Sequence, residues 1–234
     1  DVVRSRGLGD VYKRQVISGK GDSFSAGIDI TMFMSDMSLN ENLSSTPQDR
    51  RELMDLVERM QGAFTTIAKS KIPTIALAHG FCIGGATSLV SACDIRLATK
   101  DAKFSIGETK LGLVADVGVI QRMPKIVSSG DMNELALTGR IFDGEHAEKI
   151  RFVSKVYENS DDLFEAGEKL ANEISSNSKR IVQATKEALE KSSNLTVDQG
   201  LEYAKLWSTS FLVSEDLREG VMAFLEKRDP KFNE

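Results

Sequence analysis

The chain has 234 residues, 41% hydrophobic and 28% charged, enough for one substantial core or for a core carrying a small helical subdomain. Its net charge of -5, from 35 acidic against 30 basic residues, argues against a nucleic-acid-binding face. No apolar run approaches the roughly 20 residues of a membrane span, and the charged beginning (Arg4, Arg6, Lys13, Arg14) does not read as a secretory signal.

The first fifteen residues carry neither a helical nor a strand period. They are expected to be a divergent or non-native leader in place of a truncated amino terminus, dispensable for stability. Val16-Ile17-Ser18 then reads as the end of a strand, closed by the turn Gly19-Lys20-Gly21-Asp22. Phe24 to Asp29 leads into a Met/Phe-rich stretch, Met32-Phe33-Met34, and the polar segment 35–49 reads as a mobile loop. From Arg51 to Ser70, Leu53, Val57, Met60, Phe64 and Ile67 recur at helical spacing.

Pro73 to Ala78 is short, apolar and flanked by breakers, as a buried strand would be. Gly84 to Ala92 fits a tightly packed helix, and Asp94–Thr99 and Lys103–Ile106 read as further strands. This alternation implies an α/β core with a mainly parallel sheet. Beyond about Gly118 strand signals nearly vanish, and 129–138, 163–175, 181–191, 199–212 and 214–227 all read as helices. The expected organisation is a leader over 1–15, an α/β core over 16–176, and a helical region over 177–234 of the kind that docks onto the core or onto another subunit.

Cys82 and Cys93 have no metal-like or redox-like spacing and read as small buried thiols. His79 and His146 lie far apart without partners at ligand spacing, so no metal is expected. Chemistry must then come mainly from carboxylates and backbone. Two glycine-bearing turns are candidates: Phe24-Ser25-Ala26-Gly27-Ile28-Asp29, and His79 to Ala86 with Gly84-Gly85. Glycines there allow a sharp turn and a close backbone approach, and a helix start aims free N–H groups outward. Two such turns facing each other would form an oxyanion hole, whereas each alone is more often what tight packing requires. A third feature is the pair Glu108 and Asp116 in an otherwise apolar, glycine-rich stretch. In an apolar wall a carboxylate resists ionisation and suits proton transfer. As solvated loop acids, with Glu108 paired to Lys110, they would do nothing of the kind.

In order and spacing, Gly21–Asp29, His79–Ala86 with Ala92-Cys93-Asp94-Ile95-Arg96, and Glu108–Gly118 resemble the crotonase (enoyl-CoA hydratase/isomerase) superfamily. The segment from Ser214 to Arg228 is similar to that family's closing helix, so the resemblance covers about residues 16–234. It implies a crotonase-like spiral of strand-strand-helix turns with a helical C-terminal region. It also implies an acyl-CoA thioester substrate, no cofactor beyond the coenzyme A of that substrate, and a homotrimer or homohexamer. By the same resemblance the backbone N–H groups of Ile28 and Gly85 form the oxyanion hole, and Glu108 is the acid/base beside the α-carbon. Ala26, Asp29, Phe224 and Lys227 would contact coenzyme A, although helix packing for Phe224 and a solvated face for Lys227 serve equally well.

Hydratases of the family carry a second glutamate three residues after the oxyanion glycine, where this chain has Ser88, which disfavours simple hydration. The sub-pattern Glu108…Ala115-Asp116-Val117-Gly118…Gln121-Arg122-Met123-Pro124-Lys125 instead resembles the Δ(3,5)-Δ(2,4)-dienoyl-CoA isomerases of unsaturated fatty-acid β-oxidation. Glu108 would then serve the α-carbon and Asp116 the remote carbon. Those isomerases have an aspartate at the Ser88 position, so this chain lacks one family acid and is expected to work at a lower pH optimum. The alternatives are a Δ(3)-Δ(2)-enoyl-CoA isomerase needing only Glu108, an enoyl-CoA hydratase, and a catalytically degenerate CoA-binding scaffold. Residues 32–37 read equally as acyl-pocket lining and as core. The end Lys231–Glu234 is no peroxisomal signal. Mitochondrial, peroxisomal and bacterial cytoplasmic locations all stay open, with secretion not expected.

Overall fold

The computed structural model describes residues 14–29 and 46–232. The leader as far as residue 13, the Met/Phe stretch 32–37 and the loop as far as residue 45 lie outside the described residues. The chain forms two compact units. Among described residues the first takes in 17–29, 46–69 and 75–165, and the second takes in 14–16, 70–74 and 166–232.

In the first unit β1 (Gln15–Ser18, which begins in the second unit) and β2 (Thr74–Ala78) join β4 (Ile95–Thr99) and β7 (Lys155–Tyr157) in a sheet of order β1-β2-β4-β7. β2 is buried along its whole length, which is why Thr-Ile-Ala-Leu-Ala is a continuous run and not an alternating one. It pairs parallel with β4, Leu77 opposite Leu97, and β4 pairs parallel with β7. A smaller sheet of order β3-β5-β6 holds β3 (Phe81–Ile83), β5 (Lys103–Ser105) and β6 (Ile141–Asp143). β3 runs parallel to β5 and β6 antiparallel to it, so Cys82, Phe104 and Phe142 stand in one row. Phe104 stacks on Phe142 and meets Phe152 edge-on, both at 5.5 Å between centroids, an aromatic centre for the apolar core.

Three of these strands correct the sequence reading. β3 lies inside what reads as one glycine-bearing turn, and β6 and β7 fall where strand signals fade. Each has three residues, too few to set a period of two against the flanking helices. Helix α1 (Pro47–Ala68) also starts earlier than its apolar stripe suggests. Thr46 Oγ1 accepts from Asp49 N at 3.2 Å and Asp49 Oδ2 accepts from Thr46 N at 2.9 Å, with Pro47 at the first helical position. This capping box takes residues 47–49 out of the loop assigned to them.

Helix α2 (Gly85–Ser91) follows β3 directly. A 3₁₀ turn at Glu108–Leu111 and the short helix α3 (Val119–Arg122) bracket the stretch carrying Asp116. Helix α4 (Ser129–Thr138) begins at the Ser128 cap and stops at left-handed Gly139, and α5 (Gly144–Lys149) begins at the Asp143 cap. Helix α6 (Ser160–Ser175) leaves the first unit at residue 165.

The second unit contains the rest of α6 with α7 (Lys179–Ser192), α8 (Val197–Phe211) and α9 (Glu215–Glu226). Tyr203 on α8 donates to Glu187 Oε1 on α7 at 2.7 Å, and Ser178 donates to Asp216 Oδ2 at the start of α9 at 2.6 Å. The architecture is therefore a mixed α/β core with a helical C-terminal region. No described helix is long and apolar enough to cross a membrane.

Candidate active site

The two glycine-bearing turns are held side by side by a short parallel bridge. Phe24 N donates to His79 O at 2.7 Å, Ser25 N to Phe81 O at 2.8 Å, and Ile83 N to Ser25 O at 3.1 Å. Gly27 follows with φ +92°, and a Cβ there would stand 3.0 Å from Ile83 O, so only glycine lets the first turn press against the second. Gly27 N is satisfied locally by Ser25 Oγ at 3.2 Å. Among the described residues no such bond takes the N–H of Ile28, a residue 58% exposed.

His79 holds the preceding turn against this arrangement. Its Nε2 lies 3.0 Å from Gly21 O and its ring meets Phe164 edge-on at 5.3 Å. Being buried, His79 ties the Gly19–Asp22 turn to the end of β2 and is a structural residue.

On the second turn Gly84 N donates to Ser105 O at 2.9 Å, while Gly85 opens α2 with an N–H that has no intrahelical acceptor. Thr87 donates to the carbonyls of Cys82 and Ser105, at 2.7 and 3.0 Å, and so pins the start of α2 to β3 and β5. Ser88 lies one turn above Gly84, bonding its N–H to Gly84 O at 3.1 Å. It is fully buried and its hydroxyl has no partner among the described residues.

Glu108, first residue of the 3₁₀ turn, faces this helix start: a Cβ on Gly84 would lie 3.7 Å from its Oε1. Its Oε2 is buried without a hydrogen-bond partner among the described residues. Burial is the main cause that holds the Glu108 carboxyl above its ordinary value; its own backbone N–H opposes the rise and the charge of Asp116 adds to it. Asp116 itself is exposed.

The structure therefore brings together the turn bearing Ile28, the Gly84–Gly85 helix start, Ser88, Glu108 and Asp116. Ala26 and Asp29 are exposed on the first turn. Phe224 and Lys227 lie at the end of α9 in the second unit, Phe224 82% exposed and Lys227 in the left-handed region at φ 53°. Cys82 and Cys93 are buried thiols, and burial pushes the Cys82 thiol well up from its ordinary value. Among the described residues no group of His, Cys, Asp and Glu is arranged to hold a metal ion.

Residues that the sequence reading did not assign also surround Asp116. Gln61 and Thr65 stand one turn apart on α1 beside Phe64, whose ring edge comes within 3.9 Å of a Cβ built on Gly85. The signal was two polar residues interrupting the edge of the α1 apolar stripe, which periodicity alone treats as solvated.

The model of the family described as enoyl-CoA hydratase/isomerase matches residues 10–234. A mitochondrial Delta(3,5)-Delta(2,4)-dienoyl-CoA isomerase of Dictyostelium discoideum is 42% identical over 217 residues, 93% of this chain and 74% of that protein. A peroxisomal protein of the same name from Arabidopsis thaliana is 39% identical over 217 residues, 93% of this chain and 78% of its own length. Among solved structures, an enoyl-CoA hydratase from Bacillus anthracis superposes with a TM-score of 0.84 at 28% identity, covering 94% of this chain and 81% of its own. An enoyl-CoA hydratase/isomerase family protein from Hyphomonas neptunium gives a TM-score of 0.79 at 32% identity, over 93% and 79%.

Proposed function

This chain belongs to the enoyl-CoA hydratase/isomerase family and has its crotonase fold, and we propose that it is an isomerase converting (3,5)-dienoyl-CoA to (2,4)-dienoyl-CoA. Glu108 breaks the C2–H bond and takes the proton. The freed electron pair spreads through the diene into the thioester oxygen, where the N–H groups of Ile28 and Gly85 receive the charge. The double bonds move to C2–C3 and C4–C5 as a proton passes from the Asp116 carboxyl to C6. Solvent then resets both carboxyls, and the exposure of Asp116 gives it direct exchange with water.

The observation that carries this reading is Glu108: a partly buried carboxyl beside a helix start, with one oxygen unpartnered among the described residues and its ionisation resisted chiefly by burial. A base poised above the ordinary carboxylate range can hold an α-proton through the dienolate stage better than a fully solvated one. The relatives named as dienoyl-CoA isomerases support the same choice of reaction. No cofactor enters this scheme, since the coenzyme A belongs to the substrate. Ala26 and Asp29, with Phe224 and Lys227, are proposed as its contacts, in a homotrimer or homohexamer. The two relatives differ in compartment by name, so the reaction is not tied to one location.

The test is to incubate the protein with a (3,5)-dienoyl-CoA and follow the ultraviolet absorbance of the conjugated (2,4)-product, with Asp116→Asn alongside. Product from the parent and a loss of about a hundredfold or more in the variant is the expected result. Full activity in Asp116→Asn would keep the dienoyl isomerase but remove Asp116 as the second proton donor, whereas no product from the parent would favour a one-acid Δ(3)-Δ(2)-enoyl-CoA isomerase. Acyl-CoA binding without turnover of any enoyl or dienoyl substrate would make the chain a CoA-binding scaffold.

A further inference from the structure

The loop carrying Asp116 is gripped at two successive carbonyl oxygens by side chains from two different helices. Gln61 Nε2 on α1 donates to Asp116 O at 2.7 Å. Arg122 Nη1 on α3 donates to Val117 O at 3.2 Å, and Arg122 Nη2 donates to Thr65 Oγ1 on α1 at 3.1 Å. Gly118 makes room for this guanidinium, since at φ +110° a Cβ there would fall 1.9 Å from Nη1. Val117 is buried beneath the exposed Asp116 and anchors the loop from below. From these contacts we infer that Gln61 and Arg122, the latter oriented by Thr65, are positioning residues that fix the two peptides following Asp116 and so aim its carboxyl at the remote carbon.

The physical reason is reach. An exposed side chain on a loop of small apolar residues samples several rotamers, and loop movement adds further spread. Transfer to a remote carbon requires the carboxyl within hydrogen-bonding range of the carbon that accepts the proton, where a misplacement of about 1 Å costs about a hundredfold. Two hydrogen bonds to consecutive carbonyls remove the rotation of that peptide that would swing Asp116 away. Glu108 takes no part in the brace, being set by the 3₁₀ turn and the α2 start. The brace should therefore govern one of the two proton transfers and leave the other alone.

The inference rests on the reading of Asp116 as the remote acid, and the experiment separates the two. In deuterated water, deuterium appearing at C2 of recovered (3,5)-dienoyl-CoA reports removal and return at Glu108, while conjugated product reports delivery at C6. Gln61→Ala and Gln61→Met, the second keeping most of the bulk without the donor, should lower product formation tenfold or more. Exchange at C2 should stay within about twofold of the parent, so that the ratio of exchange to product rises. Arg122→Lys, which reaches only one of the two oxygens, should fall between. Parallel loss of exchange and product would make Gln61 and Arg122 merely structural and overturn the inference, as would an unchanged ratio in all three variants. Asp116→Asn run beside them should show exchange without product; if it forms product normally, Asp116 is not the remote acid and both readings fall. If it loses product while the Gln61 variants do not, only the brace is wrong.

Discussion

Glu108 faces the start of the short helix α2, and Ser88 lies one turn along that helix from Gly84. Glu108 is held above the ordinary carboxylate value chiefly by burial, with a smaller contribution from Asp116. Since the base must be ionised to accept the α-proton, the acid limb of the pH–rate profile should lie above the usual range of a glutamate. Ser88 adds no charge of its own, and its buried hydroxyl has no partner among the described residues. Ser88→Asp would place a second acid one helical turn from Gly84, the residue facing Glu108. If that aspartate ionises, like charge disfavours the Glu108 carboxylate, raises its pKa, and moves the acid limb to higher pH. Comparing the profiles of the parent and Ser88→Asp checks this: an upward displacement is expected, and coincident acid limbs would mean that position 88 does not influence Glu108. The fully buried site should also make the variant less stable at neutral pH than at acid pH, where the new carboxyl is neutral.

At the scale of elements, the end of α9 carries a conformational cost at a residue proposed to touch substrate. Lys227 occupies the left-handed position that closes a helix, where glycine is the residue of choice. Arg228 beside it is held by Glu219 at 2.6 and 3.0 Å and by Glu226 at 2.6 Å, while Glu219 also accepts from Lys231 N at 2.6 Å. These contacts lower the Glu219 carboxyl to about 2, chiefly through Arg228, so the clasp is ionised from neutral pH down and is lost only as pH falls towards that value. A side chain kept where its backbone costs about 1 kcal/mol is expected to serve something outside the helix. Lys227→Gly should therefore raise the melting temperature by a few degrees and at the same time raise KM for acyl-CoA. A lower melting temperature would show that Lys227 is not strained, and an unchanged KM would remove it from the CoA contacts.

The same scale explains what the sequence made legible. Helix α4 was readable to its ends because Ser128 and Gly139 mark them chemically, and β2 because its apolar run stands between breakers. The strands β3, β6 and β7 were not, since three residues carry no period and their pairing partners are distant in the chain. Glu108, Asp116 and the two glycine turns were singled out by residue type and spacing, and the fold sets them around one helix start. Gln61 is not legible in the sequence because its contact is to a backbone carbonyl 55 positions away, which no local pattern encodes.

Taken as a whole molecule, the helical region presents apolar residues that a single chain leaves uncovered. On α9, Leu217, Val221, Phe224 and Leu225 recur at helical spacing and are all exposed, and α8 and the link after it add Leu206, Leu212 and Val213. Apolar stripes of this extent on a helical unit are expected to be buried against another surface. Homo-oligomerisation is the form of cover proposed above, and stable interfaces of that kind bury on the order of 1,600 Å² or more. Light scattering on the full chain at micromolar concentration should give the mass of three or six copies. Val221→Glu, which puts a charge into the α9 stripe, should shift that mass towards one copy while the isolated chain keeps its helical content. If Phe224 and Lys227 serve substrate held by a neighbouring copy, KM for acyl-CoA should rise in step with the loss of mass. A parent that runs as a single chain would overturn the assembly and leave the stripe without the cover assigned to it. Dissociation with KM unchanged would instead keep the assembly and confine the CoA contacts to one chain.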